Sequence, residues 1–292
     1  MYKILLIIAL HLLFVSGVAH VWLLLTAKKR RPFWEQTARW STVGACATLT
    51  IALLLVHLMR DARLFSTSAD LFVFLSLSTV GLYLIFYNRF HTRTIGAIAV
   101  PLAALHLTLG LITQERQIEV AERATVLVVW TTVHVAAAAI GAGLFSIAAI
   151  ASGLYAFQDR RLRNRHSAPS HIIPPLDTLD RINRLGINWG YVLFSGGLAL
   201  GIIKVFVIRR IETFSDPFTV VFVLCWLLYT GLLVARSTGS IGARRAALGS
   251  IVCFAVAFSG FMSAKLVRGV SGDMLFHGTS PSQEPKQPGA PD

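Results

Sequence analysis

Nine histidines are the side chains with the widest chemical reach in this 292-residue chain. Six sit in or beside long apolar runs: His11 and His20 in the first, His57 in IALLLVHLMR, His106 in PLAALHLTLG, His134 in VVWTTVHVAAAA and His277 in SGDMLFHGTS. An imidazole in such surroundings can carry a proton, bridge two hydrogen-bonding groups, or offer a neutral nitrogen to a metal, haem iron included. An ionisable group inside hydrocarbon is costly and is therefore a candidate for function. Packing histidines fixed by hydrogen bonds fit the same positions, above all 11, 20 and 106. His91, His166 and His171 have polar neighbours, as solvated loop residues do.

Other chemistries find little support. Cys46, Cys225 and Cys253 are scattered singly with no CxxC, so neither a thiol-disulfide couple nor a structural zinc site is suggested, and each reads as a small buried hydrophobe. There is no GxxxxGK[ST], no HExxH and no GxSxG, which removes the usual marks of ATP-driven and hydrolytic enzymes.

The elements that must hold the histidines follow from composition. Hydrophobic residues make up 55% of the chain and charged ones 14%, with mean hydropathy +0.66. An ordinary soluble domain carries about 25% charged residues. A bilayer core about 30 Å thick needs roughly 20 apolar helical residues to cross it. Runs of that kind lie at about 4–27, 40–60, 69–88, 94–114, 126–156, 185–207, 217–236 and 245–268. They are too long and too unalternating for barrel strands. The expected fold is all-α, a polytopic bundle of about eight transmembrane helices in one integral membrane domain over 1–278. The Pro- and Gly-containing polar tail at 279–292 has the composition of a disordered segment. The first run lacks a small-residue cleavage site and is followed by a basic cluster, so it reads as a retained helix.

The net charge of +13 would suggest nucleic acid in a soluble protein. Here the cations interrupt the apolar runs instead. The odd-numbered connections and their flanks hold Lys28, Lys29, Arg30, Arg31, Arg39, Arg89, Arg93, Arg160, Arg161, Arg163, Arg165, Arg181, Arg184, Arg236, Arg244 and Arg245. Their acids number four: Glu35, Asp159, Asp177 and Asp180. Cytoplasmic loops are enriched in Lys and Arg, so these connections are expected inside and both termini outside, in the inner (plasma) membrane of a bacterium. That places His57, His134 and His277 near the outer face, where they could converge. In the long fifth connection Pro174 and Pro175 break any helix before LDTLDRINR resumes an amphipathic turn. Lys204 and Lys265 near the outer ends of the sixth and eighth runs could serve a secondary transporter or could snorkel to the interface. No internal repeat, broken helix pair or central carboxylate supports transport, Asp70 being at the start of the third run.

Several stretches in order resemble the cytochrome c assembly protein family, the integral-membrane haem-handling proteins of cytochrome c biogenesis, and look closest to its HemX-like branch. They are VHVAAAAIGAGLFSIAAIASGLYAFQDRRL, PPLDTLDRINRLGINWGYVLFSGGLALGIIKV, SDPFTVVFVLCWLLYTGLLVAR, RRAALGSIVCFAVAFSGF and MLFHG, with weaker likeness in LLLVHLMR and GAIAVPLAAL. The similarity spans about 40–278 and is best over 126–278. It implies that His134 and His277 are the two outer histidines that ligate haem, expected to be haem b, and that His57 matches a membrane histidine of the second span. Two imidazoles can fill both axial positions of the iron. Arg60, Arg63, Arg209 and Arg210 are available for the propionates, or as interfacial anchors.

Two departures narrow what the resemblance implies. Haem-transferring members carry a Trp-rich stretch ending in WDPKE before the seventh span; here that loop reads IETFSDPF, and Asp216 with Pro217 also forms an ordinary helix start. A membrane histidine expected near the inner end of the seventh span is replaced, the chain reading LLVAR at Leu232 to Arg236. The resemblance therefore assigns the chain no catalytic step of its own. The expected partners are haem, membrane lipid and other cytochrome c maturation subunits, and no nucleic acid. HemX-like members share these losses, and some are linked to haem biosynthesis or its regulation. The alternative is therefore a non-catalytic membrane scaffold that regulates a tetrapyrrole-biosynthesis enzyme through its basic cytoplasmic surface.

Overall fold

The computed structural model describes residues 2–26, 32–59, 65, 67–112, 125–163, 173–207 and 217–277, with backbone alone at 68, 125–128, 217, 218 and 264–277. Eight helices follow in order: α1 (Tyr2–Leu25), α2 (Pro32–Met59), α3 (Ser68–Phe90), α4 (Arg93–Ile112), α5 (Thr125–Arg163), α6 (Leu176–Val207), α7 (Pro217–Ser237) and α8 (Ala243–His277). Each is long and apolar enough to cross a membrane, and no β-strand occurs among the described residues. Large apolar side chains such as Phe14, Leu58, Ile85, Trp189 and Val252 face outward, as a lipid-facing surface requires.

The termini of these helices have local causes. Thr67 caps α3: its hydroxyl accepts from the Asp70 N–H at 3.2 Å while the Asp70 carboxylate accepts from the Thr67 N–H at 3.0 Å. This accounts for Asp70, fully buried at the start of a span. His91 closes the same helix in a left-handed conformation, φ 53°. Leu176 begins α6 directly after Pro174 and Pro175. Helices α5, α6 and α8 outrun the apolar segments that announce them. At 1.5 Å per residue the 39 residues of α5 reach about 58 Å, nearly twice the hydrocarbon thickness. The surplus of α5 carries Arg160, Arg161 and Arg163, and the first turns of α6 carry Asp177 and Asp180. The helix does not stop where hydrophobicity stops, because polar residues continue it in water.

Sequential neighbours run antiparallel. Ser16 of α1 meets Thr42 of α2, Ser76 of α3 bonds the Ala103 carbonyl of α4, and Gly249 of α8 abuts Leu232 of α7. One apolar cluster joins α1 to α6 through residues such as Leu13, Leu49, Val80, Ile95, Ile147 and Ile182. A second joins α5 to α8 around Phe145, Phe194, Tyr229 and Cys253. Cys225 and Cys253 are buried in it and all three cysteines are free, as small hydrophobes. The alternation gathers Arg39, Arg89, Arg93, Arg160, Arg181, Arg236 and Arg244 at one end of the bundle, hereafter the basic end.

Candidate functional site

The α5–α6 seam is the closest helix pairing and it builds the surroundings of His134. Gly186, Gly190, Gly197 and Gly201 form a small-residue stripe along α6, two pairs at i, i+4. A Cβ at Gly190 would lie 2.8 Å from the Phe145 ring, and one at Gly197 would lie 2.9 Å from the Ala138 nitrogen. With no side chain in the way, the two backbones approach, and His134 can reach across. Its Nδ1 lies 2.5 Å from the Gly197 carbonyl, which can only accept, so Nδ1 carries the proton. Gly201 lies under the ring: a Cβ there would stand 2.6 Å from Cε1. In the neutral imidazole the lone pair is then on Nε2. Histidines that ligate metals are commonly oriented in this way, by a second nitrogen bonded to a carbonyl.

Two further bonds tie the same ends together. Lys204 Nζ donates to Thr131 Oγ1 at 2.7 Å, and Trp130 Nε1 donates to the Leu200 carbonyl at 2.9 Å. Lys204 is thus a half-buried cross-helix donor close enough to His134 to act on it electrostatically.

The remaining histidines separate. His57 lies near the end of α2, at the end of the bundle opposite the basic one, with its Nδ1 enclosed and bonded to no described group. The helices packed most closely on α2 are α1 and α3, whereas His134 lies on α5. His277 is the last residue of α8 instead of lying beyond it, and its side chain is outside the described residues. So are Arg60, Arg63, Arg209, Arg210, the Lys265 side chain, His166, His171, the IETFSD loop and the tail. Among the described residues no group of three or more His, Cys, Asp or Glu side chains is arranged for a metal ion. His106 is buried beside Phe258 of α8 with its Nδ1 bonded to no described group, and His11, which is exposed, bonds its own helix at the Ile7 carbonyl.

At the basic end, Arg236 of α7 pairs with Asp180 and with the Asn183 side-chain oxygen, both of α6. Asn183 in turn donates to Ser152 Oγ at 2.7 Å and to the Ala148 carbonyl at 3.2 Å on α5. The residue that stands near an expected membrane histidine is therefore a clasp across three helices. Gly201 and Gly197 had no chemical signal in sequence; a GxxxG pair opposite an intramembrane His was the available clue.

The sequence profile of the family described as Cytochrome C assembly protein matches residues 64–271. That range holds α3 to most of α8 and includes His134; His57 precedes it and His277 follows it. Neither the curated proteins nor the solved structures gave a match. A match over more than two thirds of the chain, on a bundle of eight membrane-length helices, shows that this multi-pass membrane protein of cytochrome c biogenesis belongs to the cytochrome c assembly protein family.

Proposed function

We propose that the protein binds haem b at the end of the bundle opposite the basic one, with His134 as one axial ligand and His277 as the other. The observation that supports this is the His134 ring itself, fixed by the Gly197 carbonyl and seated over Gly201, which leaves the lone pair on Nε2. When bound, the haem would supply the iron; the chain would supply the imidazoles, the apolar walls and cations for the propionates. Lys204, Arg209 and Arg210 are the candidate cations on the α6 side, and Arg60 and Arg63 on the side of His57. His57 would serve as a membrane way-station and not as a third ligand. With the basic end cytoplasmic, as cation-rich loops are, the haem would face outward in a bacterial inner membrane, next to other maturation subunits.

The HemX-like alternative, a scaffold acting on a tetrapyrrole-biosynthesis enzyme, is favoured by one observation: Arg163, Arg184 and Arg244 project at the basic end with side chains more than half exposed. The absorption spectrum of the full-length protein, purified in detergent from haem-replete cells, separates the readings. A Soret band that is lost in the His134→Ala, His277→Ala double variant supports the haem site. A colourless wild-type protein refutes it, and a band that survives both substitutions refutes the ligand assignment.

A further inference from the structure

A second polar site lies at the basic end, where the ends of α1 and α3 meet the beginnings of α2 and α4. His20 is buried there with Nδ1 2.8 Å from the Ser16 carbonyl and Nε2 2.8 Å from the Tyr83 hydroxyl. Gly96 of α4 makes room for this pair, since a Cβ there would lie 2.4 Å from the Tyr83 oxygen and 2.6 Å from His20 Cδ2. Ser16 Oγ continues to Thr42 Oγ1 at 2.6 Å, and both hydroxyls bond the Ala38 carbonyl. A carbonyl cannot pass a proton on, so the chain of bonds is a dead end and not a path through the membrane. Its polar surface serves the cleft in front of it.

That cleft, a shallow open hollow whose enclosed part has room for little more than one water, is lined by His20, Glu35, Arg39, Tyr83, Tyr87 and Arg93, with Leu23 and Leu84 as its apolar wall. Arg93 pairs with Glu35 and with the Tyr87 hydroxyl, and it remains half exposed. Two guanidiniums against one carboxylate leave the cleft net positive, and the Tyr87 hydroxyl, which accepts from Arg93, keeps its own proton to donate, which suits a tetrahedral oxyanion. Around it Trp22, Phe33 and Trp40 are exposed, and the Trp22 ring lies 5.8 Å from that of Trp34 of α2, tilted by 39°. Aromatic side chains of this kind mark the headgroup level of a bilayer. We propose that this cleft binds the phosphate of an anionic phospholipid in the leaflet at the basic end, with the phosphate on Arg39 and Arg93 and an acyl chain along Leu23 and Leu84. Glu35 competes with the phosphate for Arg93.

The competition makes the test discriminating. Binding of phosphatidylglycerol to the full-length protein in detergent is read by native mass spectrometry, with phosphatidylcholine and inorganic phosphate as comparison probes. Arg39→Gln and Arg93→Gln each weaken phosphatidylglycerol binding by about tenfold, the loss of a charge-assisted bond, whereas Glu35→Gln tightens it several-fold. A merely structural ion pair predicts that Arg93→Gln and Glu35→Gln shift binding alike, and that result overturns the site. Inorganic phosphate displacing the lipid at equal concentration overturns the lipid as its source. Unfolding temperatures of the three variants in the same detergent identify any that misfold, and Arg39, which is exposed and outside the Glu35 pair, then decides alone.

Discussion

Gly201→Ala tests the seat of His134 because its effect must change sign with the residue at 134. The new Cβ would stand 2.6 Å from Cε1, where carbon atoms need about 3.5 Å. The ring must retreat by about 1 Å. The Nδ1 to Gly197 carbonyl distance then grows from 2.5 Å to about 3.5 Å, outside hydrogen-bonding range. Losing that bond costs about 1 kcal/mol, and strain left in the packed seam about 1–2 kcal/mol. Alanine in place of glycine returns up to about 1 kcal/mol of helix propensity. The net is about 1–2 kcal/mol of destabilisation, with a weakened Soret band if the imidazole is the ligand. In a His134→Ala background the clash and the bond are both gone, and Gly201→Ala should be neutral or stabilising by up to about 1 kcal/mol. The coupling from a double-mutant cycle, measured by denaturant unfolding in a fixed detergent, should therefore be about 2–3 kcal/mol. Gly196→Ala, with nothing within 4 Å of its Cβ, is the matched control. Additivity of the Gly201 and His134 substitutions to within about 0.5 kcal/mol would refute the reasoning.

Other substitutions follow the same logic. Asp180→Asn leaves the largely enclosed Arg236 guanidinium without its acid and should cost about 3 kcal/mol, Arg236→Met should cost less because Arg184 still pairs with Asp180, and removing Arg236 as well should recover most of the Asp180→Asn loss; an equal loss in Asp180→Asn and in the double variant would deny the clasp. Gly141→Ala sets a Cβ 2.9 Å from the Gly190 carbonyl and the Phe194 nitrogen, so it should cost about 3 kcal/mol, whereas Gly153→Ala, facing open space, should not destabilise. Tyr229→Phe removes a fully buried hydroxyl that no described group bonds and keeps the ring stacked on Phe145 at 3.6 Å, so thermal unfolding should be unchanged or raised.

The helices were legible in the sequence because the bilayer sets one length and the apolar runs meet it. Their ends were less so. The run read as 185–207 begins at Leu176 in the structure, and the one read as 126–156 continues to Arg163, since Asp159 with Arg163 and Asp180 with Arg184 are poor hydrocarbon residues but good helix partners at i, i+4. At the site, His134 was legible from its type and setting. What holds it was not: Gly197 and Gly201 act through the absence of atoms, which shows only when the opposing helix is in place. Asp70 illustrates the reverse case, an acid beside a span that closes the capping box with Thr67. His20 read as a packing residue, and its hydrogen bonds agree; the cleft in front of it depends on four helices that are adjacent only in three dimensions.

Arg236 stands near the position where the family resemblance leads one to expect a histidine, and it has partners of its own there. An imidazole at that depth would need a partner or a ligand, and a guanidinium needs an acid. Asp180 and Asn183 on α6 supply the acid and a second acceptor, and Asn183 passes the connection on to Ser152 and Ala148 of α5. The same two helices carry His134 and its glycine seat at the opposite end of the seam. Because each glycine hollow in that seam is filled by one particular residue of the facing helix, α5 and α6 cannot slide by a fraction of a turn; they keep this register or lose it. A clasp at one end and a seated imidazole at the other thus stabilise a single register. The Arg236 clasp is therefore part of what holds His134 in place at the other end of the seam.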